Sequence, residues 1–143
     1  MASGSLYVES SAVLAWLLEE PAGNAVADYL SRTADLVTSA LTWVECDRAL
    51  HRCASLGQRE GRRLAEDRRR MNAAAGHWAE LPVSAECLLG ARQAFPVEPV
   101  RSLDALHLAS ALLARDLLPD LRVLSLDDRI RVNALQMGFQ VLP

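Results

Sequence analysis

The sequence contains no lysine, and arginine supplies all 15 of its basic residues. Aromatic residues make up only 5% of the chain. The net charge of −3 argues against a protein that binds nucleic acid through its overall charge, although a protein of this net charge can still carry a local basic patch. No apolar run reaches about 18 residues, and no basic segment precedes a short apolar one. These absences predict a cytoplasmic protein without a membrane-spanning segment.

Cysteine is also scarce, with three residues in the chain. Cys46, Cys53 and Cys87 fit neither a CxxC pair nor a cysteine–histidine spacing typical of zinc sites. Cys46 and Cys53 lie on one predicted helix, too far apart along its axis for a disulfide. We therefore expect reduced thiols, as in a cytosolic protein.

What the sequence does contain is an alternation of short apolar runs and helical patterns along 143 residues, 51% of them hydrophobic. This size and composition are typical of one globular domain, residues 1–143. The predicted strands are 6–9, 36–37, 79–83, 122–126 and 139–142. The predicted helices are 12–18, 22–32, 42–55, 57–78, 84–94, 103–118 and 127–137. Without hairpin signals, this order predicts an α/β sandwich with a mostly parallel sheet.

Polar residues ahead of three helices are the expected caps: Ser10 or Ser11 for the first, Thr42 for the third and Ser102 for the sixth. In the polar helix around 57–78, acidic and arginine residues recur at i,i+3 and i,i+4 spacing, which predicts ion pairs within that helix. The predicted pairs are Glu60–Arg63, Glu66–Arg69, Glu66–Arg70 and Asp67–Arg70. Glu9 stands between a buried strand and a buried helix, and no partner for its carboxylate is evident nearby in the sequence.

Three acids fall at or just after the predicted strand ends, where parallel sheets bind ligands, and a fourth lies in the first turn of the helix that precedes the fourth strand. Glu9 ends the first strand, Glu45 opens the helix after the second, Asp104 opens the sixth helix, and Asp127 follows the fourth strand. Taken singly, three of them have simpler explanations. Glu45 can pair with Arg48, Asp104 can favour the dipole of its helix, and Asp127 can be an N-cap.

Together the four acids favour a different interpretation. Carboxylates within about 4–8 Å of one another repel and raise one another's pKa values unless a cation lies among them. Oxygen ligands without histidine or cysteine select a hard ion such as Mg²⁺ or Mn²⁺. Such an ion activates water and stabilises the charge that develops on phosphate during hydrolysis.

Four segments carry a resemblance to a known family: LYVESSAVLAWLLEE, LTWVECDRAL, RSLDALHLASALL and VLSLDDRIRVNALQMGFQVL. In order and spacing they resemble the PIN-domain ribonucleases, and among these the VapC toxins of toxin–antitoxin pairs. The resemblance covers almost the whole chain, and SLDALHLASAL and SLDDRI are its most specific parts. It implies a three-layer α/β/α sandwich with a central parallel sheet, and Mg²⁺- or Mn²⁺-dependent cleavage of RNA.

The resemblance also implies roles for individual residues. Glu9 and Asp104 would be the principal metal ligands, Asp127 a further ligand, and Glu45 the group that orients or deprotonates the attacking water. Asp128, beside Asp127, is the less favoured neighbour. Ser11 and Ser125 would support these carboxylates as hydrogen-bond donors. On this interpretation Glu9 is a metal ligand and not a helix cap.

Position 9 departs from the family pattern, which has Asp in a DSSA-like run. The extra methylene of Glu9 moves the carboxylate by roughly 1 Å, and such a displacement can cost about 10²-fold in rate. Three explanations remain open: drift that the metal accommodates, a natural variant with weak activity, or a substitution introduced so that a toxic protein can be produced.

The family further implies a homodimer, an RNA substrate and a cognate VapB-like antitoxin that lies across the acidic groove. An alternative function is a catalytically weak PIN-fold module that dimerises and binds RNA or an antitoxin. A phosphoryl-transfer enzyme is disfavoured because Glu9 replaces the aspartyl nucleophile and no lysine can hold the phosphate. The arginine-rich segment 59–70 is a candidate RNA surface, although its acidic neighbours favour a solvated helix face.

Overall fold

The protein is described here by a computed structural model, which covers residues 2–143. Its strands are β1 (Ser5–Val8), β2 (Asp35–Ser39), β3 (Ala79–Leu81), β4 (Arg122–Leu124) and β5 (Val141–Leu142). Its helices are α1 (Ser10–Leu17), α2 (Gly23–Arg32), α3 (Ala40–Ser55), α4 (Gly61–His77), α5 (Ala85–Ala91), α6 (Ser102–Leu117) and α7 (Asp128–Gln136). The elements follow one another in the predicted order and close to the predicted positions.

One sheet joins the strands in the order β3-β2-β1-β4-β5, and every pairing within residues 2–143 is parallel. The predicted α/β fold with a parallel sheet is thus confirmed. β1 lies at the centre, where Tyr7 is in register with Val37 on one side and Val123 on the other. Because the carboxyl ends of parallel strands meet at one edge, the residues that follow β1, β2 and β4 are brought together there.

Apolar side chains fill both faces of the sheet. Leu6 and Val8 pack in one cluster with Leu50 of α3, whereas Tyr7 packs in the other with Leu108 of α6. Successive side chains of a strand point to opposite faces, so β1 supplies both clusters. Burial on both faces explains why this strand reads as an unbroken apolar run rather than an alternating one.

The cap of α1 differs from the prediction. Neither Ser10 nor Ser11 caps the helix; Glu9 is the N-cap residue, and its carboxylate accepts a hydrogen bond from the Ser11 backbone N–H. The interpretation that Glu9 is not a helix cap was therefore wrong. Its side chain is long enough to fold back onto the first turn, which the sequence pattern did not reveal.

Two other predicted caps are also wrong. α3 begins two residues before Thr42, after Ser39, whose hydroxyl accepts from a backbone N–H of the first turn. Thr42 instead accepts a hydrogen bond from the buried hydroxyl of Thr38. Ser102 is the first residue of α6, and the preceding residue makes no side-chain cap bond.

The ion pairs predicted within α4 are replaced by longer-range ones. Arg63 pairs with Glu19 at 2.8 Å, and Arg59 pairs with the buried Asp67 at 2.5 Å. Local spacing favoured i,i+3 and i,i+4 partners, but the packing of α4 against the end of α1 brings Glu19 to Arg63, and the loop before α4 places Arg59 beside Asp67.

The three cysteines are free, with Cys46 and Cys87 buried and Cys53 partly buried. Among the helices of residues 2–143, none has the length and apolar character needed to cross a membrane.

Candidate active site

A pocket of about 400 Å³ brings the four predicted acids together. Glu9 follows β1, Asp127 follows β4, Glu45 lies on α3 and Asp104 lies in the first turn of α6. All four side chains line its wall. The parallel sheet therefore brings together groups that are up to 118 residues apart in sequence, as expected for a site at the carboxyl edge.

Glu9 is the most constrained acid of the pocket, with 2% of its surface exposed. Its Oε1 accepts hydrogen bonds from the hydroxyls of Ser11 and Ser125, both at 2.7 Å. Its Oε2 accepts from the Ser10 hydroxyl at 2.8 Å and the Ser11 N–H at 2.6 Å. No partner was evident beside Glu9 in the sequence pattern, yet three serines surround it, two of them the Ser11 and Ser125 that the family resemblance implied as donors.

The serines also connect the elements around the pocket. The Leu126 N–H donates to the Ser11 hydroxyl at 2.9 Å, and the Asp127 N–H donates to the Ser125 hydroxyl at 3.1 Å. The start of α1 and the end of β4 are therefore tied through hydroxyl groups. Ser11 and Ser125 occupy the supporting positions proposed for them, and Ser10 is a further donor that the sequence analysis did not identify.

Asp127 is the N-cap of α7. Its Oδ1 accepts from the backbone N–H groups of Arg129 and Ile130 at 2.9 and 3.2 Å. Both bonds end on the same oxygen, so capping does not occupy the whole carboxylate. Asp128 is exposed, lies within α7 and does not line the pocket.

Asp104 is the least satisfied acid. It is 8% exposed, and its buried Oδ2 has no hydrogen-bond partner among residues 2–143. The Arg101 Nε lies 3.5 Å from this oxygen. Burial raises the pKa of Asp104, the charge of Asp127 raises it further, Arg101 opposes the change, and Glu9 adds a smaller increase. A cation beside Oδ2 would give this oxygen a partner and relieve the repulsion.

Glu45 is held by a histidine and not by Arg48. Its Oε1 lies 2.5 Å from the His107 Nε2, and the His107 Nδ1 lies 2.8 Å from the Tyr7 hydroxyl. Both rings are 1% exposed. Burial above all, and then the charge of Glu9, raises the pKa of Tyr7 well above its ordinary value, so its hydroxyl keeps its proton. The consistent arrangement has Tyr7 donating to Nδ1 and the Nε2–H donating to Glu45.

His107 was predicted to be a packed histidine, and it is one. Its contact with Glu45 was missed. The sequence held one indication that His107 belongs to the site. His107 lies three residues after Asp104, which places both side chains on one face of α6.

The fit of these residues to a metal can be judged from their chemistry. Carboxylate oxygens suit a hard divalent ion, and the unpartnered Asp104 oxygen offers one binding position. Glu9 is less available, since each of its oxygens already accepts two hydrogen bonds. Within residues 2–143, no three side chains of the metal-binding types stand in an arrangement that could hold an ion. The pocket suits a divalent cation best on its Asp104 and Asp127 side.

A parallel sheet with an acidic pocket at its carboxyl edge places this molecule among the α/β proteins whose binding site lies outside the carboxyl ends of the strands. The chain belongs to the PIN domain family, whose model matches residues 6–136. Ribonuclease VapC46 of Mycobacterium tuberculosis is 34% identical over 139 residues, or 96% of both chains. Ribonuclease VapC35 of the same organism is 29% identical over 141 residues, covering 96% of this chain and 95% of the relative.

Solved structures share the fold at lower sequence identity. A toxin–antitoxin complex from Klebsiella pneumoniae aligns with a TM-score of 0.63 and 15% identity, covering 96% of both chains. This similarity shows that the two chains share a fold. The predicted membership of the PIN family, with VapC-type relatives, is confirmed.

Proposed function

We propose that this chain is an endoribonuclease of the VapC type, the toxin of a toxin–antitoxin pair, which hydrolyses RNA phosphodiester bonds with the help of Mg²⁺ or Mn²⁺. Membership of the PIN family and two relatives named Ribonuclease VapC support this activity. The observation that carries the proposal is the convergence of Glu9, Glu45, Asp104 and Asp127 on one pocket of a PIN fold.

Asp104 and Asp127 would hold the metal, and Glu9 would become a third ligand after a side-chain movement, since within residues 2–143 no three such side chains already stand in an arrangement that could hold an ion. When bound, the ion supplies an activated water and stabilises the charge on the reacting phosphate. Asp104 has an oxygen without a partner, and Asp127 caps α7 through one oxygen only. Glu9 can free its Oε1 by rotation of the Ser11 and Ser125 hydroxyls, whereas Oε2 is also bound by a backbone N–H that cannot rotate away.

Glu45 would orient the attacking water and accept its proton. Its carboxylate lines the pocket and is fixed by the buried His107, which the Tyr7 hydroxyl fixes in turn. Such a chain of hydrogen bonds restricts the carboxylate to one orientation, which is what a positioned base requires.

The partners follow from the same proposal. RNA would be the substrate, a VapB-like antitoxin would cover the acidic pocket, and two copies of the chain would form a homodimer. The structural neighbour described as a toxin–antitoxin complex supports an antitoxin partner. Three free cysteines suit a reducing cytoplasm.

One observation favours the second candidate, a catalytically weak module that binds RNA or an antitoxin. All four hydrogen-bonding positions of the Glu9 carboxylate are filled by serine donors. If those donors do not release it, the metal loses a ligand and hydrolysis is slow.

The first experiment compares this chain with its Glu9→Asp variant on a structured RNA, each with Mg²⁺, with Mn²⁺ and with a chelator. Asp104→Asn is the inactive reference, and Asp116→Asn, an exposed acid on the same helix, is its matched control. We expect metal-dependent cleavage by the parent and by Asp116→Asn, and a loss of about 10²-fold or more for Asp104→Asn.

Each outcome separates the candidates. Cleavage by both the parent and Glu9→Asp supports a working ligand at position 9. Cleavage by Glu9→Asp alone assigns the parent to the attenuated form. Binding of RNA without cleavage by either protein favours the binding module over the nuclease.

A further inference from the structure

A row of polar side chains leads away from the acidic pocket along one face of α3. Glu45 lines the pocket, and Arg48, Arg52 and Ser55 follow it at helical spacings of three, seven and ten residues. This spacing places them on one stripe of the helix. The two arginines, Ser55 and His51 together line a second cavity of about 440 Å³.

Arg48 and Arg52 are exposed, and neither forms an ion pair with an acid among residues 2–143. The i,i+3 spacing would let Arg48 pair with Glu45, but the Glu45 carboxylate contacts His107 instead. Asp47, the adjacent acid, projects from a different side of α3, since neighbouring helix positions do not face each other. The two guanidinium groups are therefore available to an external anion.

The arginine-rich segment of α4 differs from this stripe. Arg59 and Arg63 are engaged by Asp67 and Glu19, and the Arg70 guanidinium lies 4.6 Å from the centre of the Trp16 ring. These three arginines serve the packing of α4. Arg62 and Arg69 on α4 are exposed and form no ion pair among residues 2–143, but neither lines the acidic pocket or the cavity beside Arg48 and Arg52. The densest basic run of the sequence is therefore a weaker candidate for holding RNA at this pocket than the pair on α3.

We propose that Arg48 and Arg52 form a phosphate-binding track that holds the backbone of single-stranded RNA as it enters or leaves the acidic pocket. The proposal rests on the proposed ribonuclease function and names how that substrate is held. A pocket lined by four acids in a chain of net charge −3 repels phosphate, so binding needs a local positive surface next to it. The arginines lie about 4.5 and 10.5 Å along the helix from Glu45, close to the reacting position.

Arginine suits this role because its guanidinium can grip a phosphate through two hydrogen bonds and keeps its charge at any working pH. The contacts are to the backbone, so they position RNA without reading its sequence. The track should therefore contribute equally to RNAs of different sequence.

The test measures binding of a fluorescent single-stranded RNA of about 20 nucleotides in the presence of a chelator, where hydrolysis does not interfere, over a series of salt concentrations. The variants are Arg48→Ala with Arg52→Ala, and the same pair changed to Lys. The matched control changes Arg62 and Arg69 to Ala: both are exposed, lie on α4 and form no ion pair among the described residues.

For single-stranded RNA, removing one arginine that neutralises a phosphate lowers the slope of log affinity against log salt by about 0.7. The double alanine variant should therefore have a slope smaller by about 1.4, so its affinity should fall about sevenfold less than the parent's between 50 and 200 mM salt. The lysine pair should keep the parental slope, and the α4 control should change it little.

The proposed track would be contradicted if the slope of log affinity against log salt were unchanged in the double alanine variant. It would also be contradicted if the α4 control changed the slope by the same amount. RNA binding too weak to detect in the parent would overturn it as well. A parent that binds RNA with the expected slope difference but cleaves nothing with Mg²⁺ or Mn²⁺ would retain the track and refute the nuclease, so the two failures are distinguishable.

Discussion

Glu9 both caps the N-terminus of α1 and lines the acidic pocket. Its carboxylate accepts four hydrogen bonds from Ser10, Ser11 and Ser125 while 2% exposed. The acid itself could be identified from the sequence because it ends a buried strand. The family resemblance implied Ser11 and Ser125 as donors, whereas the residue pattern alone could not indicate Ser125, which lies 116 residues away and is brought close only by the pairing of β1 with β4. Ser10, the neighbouring residue, was not identified as a donor.

Glu9→Gln should destabilise the protein by about 1–3 kcal/mol, because the amide NH₂ would face hydrogen-bond donors and leave at least one of them unsatisfied. The free energy of unfolding in urea, with a chelator present, measures this. Glu86→Gln is the control, since Glu86 is exposed in the first turn of α5. A Glu9→Gln variant as stable as the control would contradict the role of Glu9 as a buried acceptor.

The cysteines give a second prediction at the residue scale. Burial, with the charges of Glu45 and Glu9, raises the pKa of Cys46 from 9.0 to about 12. Thiol reagents react with the thiolate, so at about pH 8 the native protein should be alkylated at Cys53 well before Cys46. Mass spectrometry after timed alkylation measures this, and urea-unfolded protein, in which both thiols react, is the control. Equal rates in the native protein would contradict the burial of Cys46.

At the scale of elements, the alternation of strands and helices followed from hydrophobic runs, but the partners of charged residues did not. Asp67 was expected to pair with Arg70 one turn along α4, yet it binds Arg59 of the preceding loop. Local spacing describes an isolated helix. The ion pairs of α4 are decided by how it packs, which the sequence alone does not specify.

The contact between α1 and α2 depends on a glycine. A Cβ on Gly23 would lie 2.5 Å from the Ala15 carbonyl oxygen, a backbone atom that cannot turn aside. Gly23→Ala should therefore lower the free energy of unfolding by about 1–3 kcal/mol. Gly76→Ala in α4 is the matched control, because nothing lies within 4 Å of its Cβ. There we expect a gain of about 0.4–1 kcal/mol, and equal effects would contradict the close approach.

At the scale of the whole molecule, the strand order brings Glu9, Glu45, Asp104 and Asp127 to one pocket. The alternation of strands and helices predicted this convergence, because the carboxyl ends of parallel strands share an edge. It did not predict that the four carboxylates differ in the number of hydrogen-bond donors around them. Glu9 has four donors, whereas the Asp104 Oδ2 has none among the described residues.

Because the buried Asp104 oxygen lacks a hydrogen-bond donor, the stability of the folded protein should depend on pH and on bound metal. Burial, and then the charge of Asp127, raises the pKa of Asp104, so the folded state holds this proton more tightly than the unfolded state. The resulting stabilisation is complete below the ordinary aspartate pKa of about 3.9 and is lost as the pH rises through the folded-state value. Near neutral pH, without a cation, ionised Asp104 therefore opposes folding.

Asp104→Asn should consequently be more stable than the parent at about pH 7 in chelator, and its advantage should shrink as the pH falls towards about 4. With Mn²⁺ present, the parent should instead be more stable than Asp104→Asn. An ion at 100 times its dissociation constant stabilises the parent by ~2.7 kcal/mol, and the variant should gain less. Thermal unfolding monitored by circular dichroism measures both the pH dependence in chelator and the effect of Mn²⁺. Asp116→Asn is the control and should behave as the parent. If Asp104→Asn were the less stable protein in chelator, the ionised Asp104 carboxylate would have partners that favour folding, and the case for a cation beside it would fail.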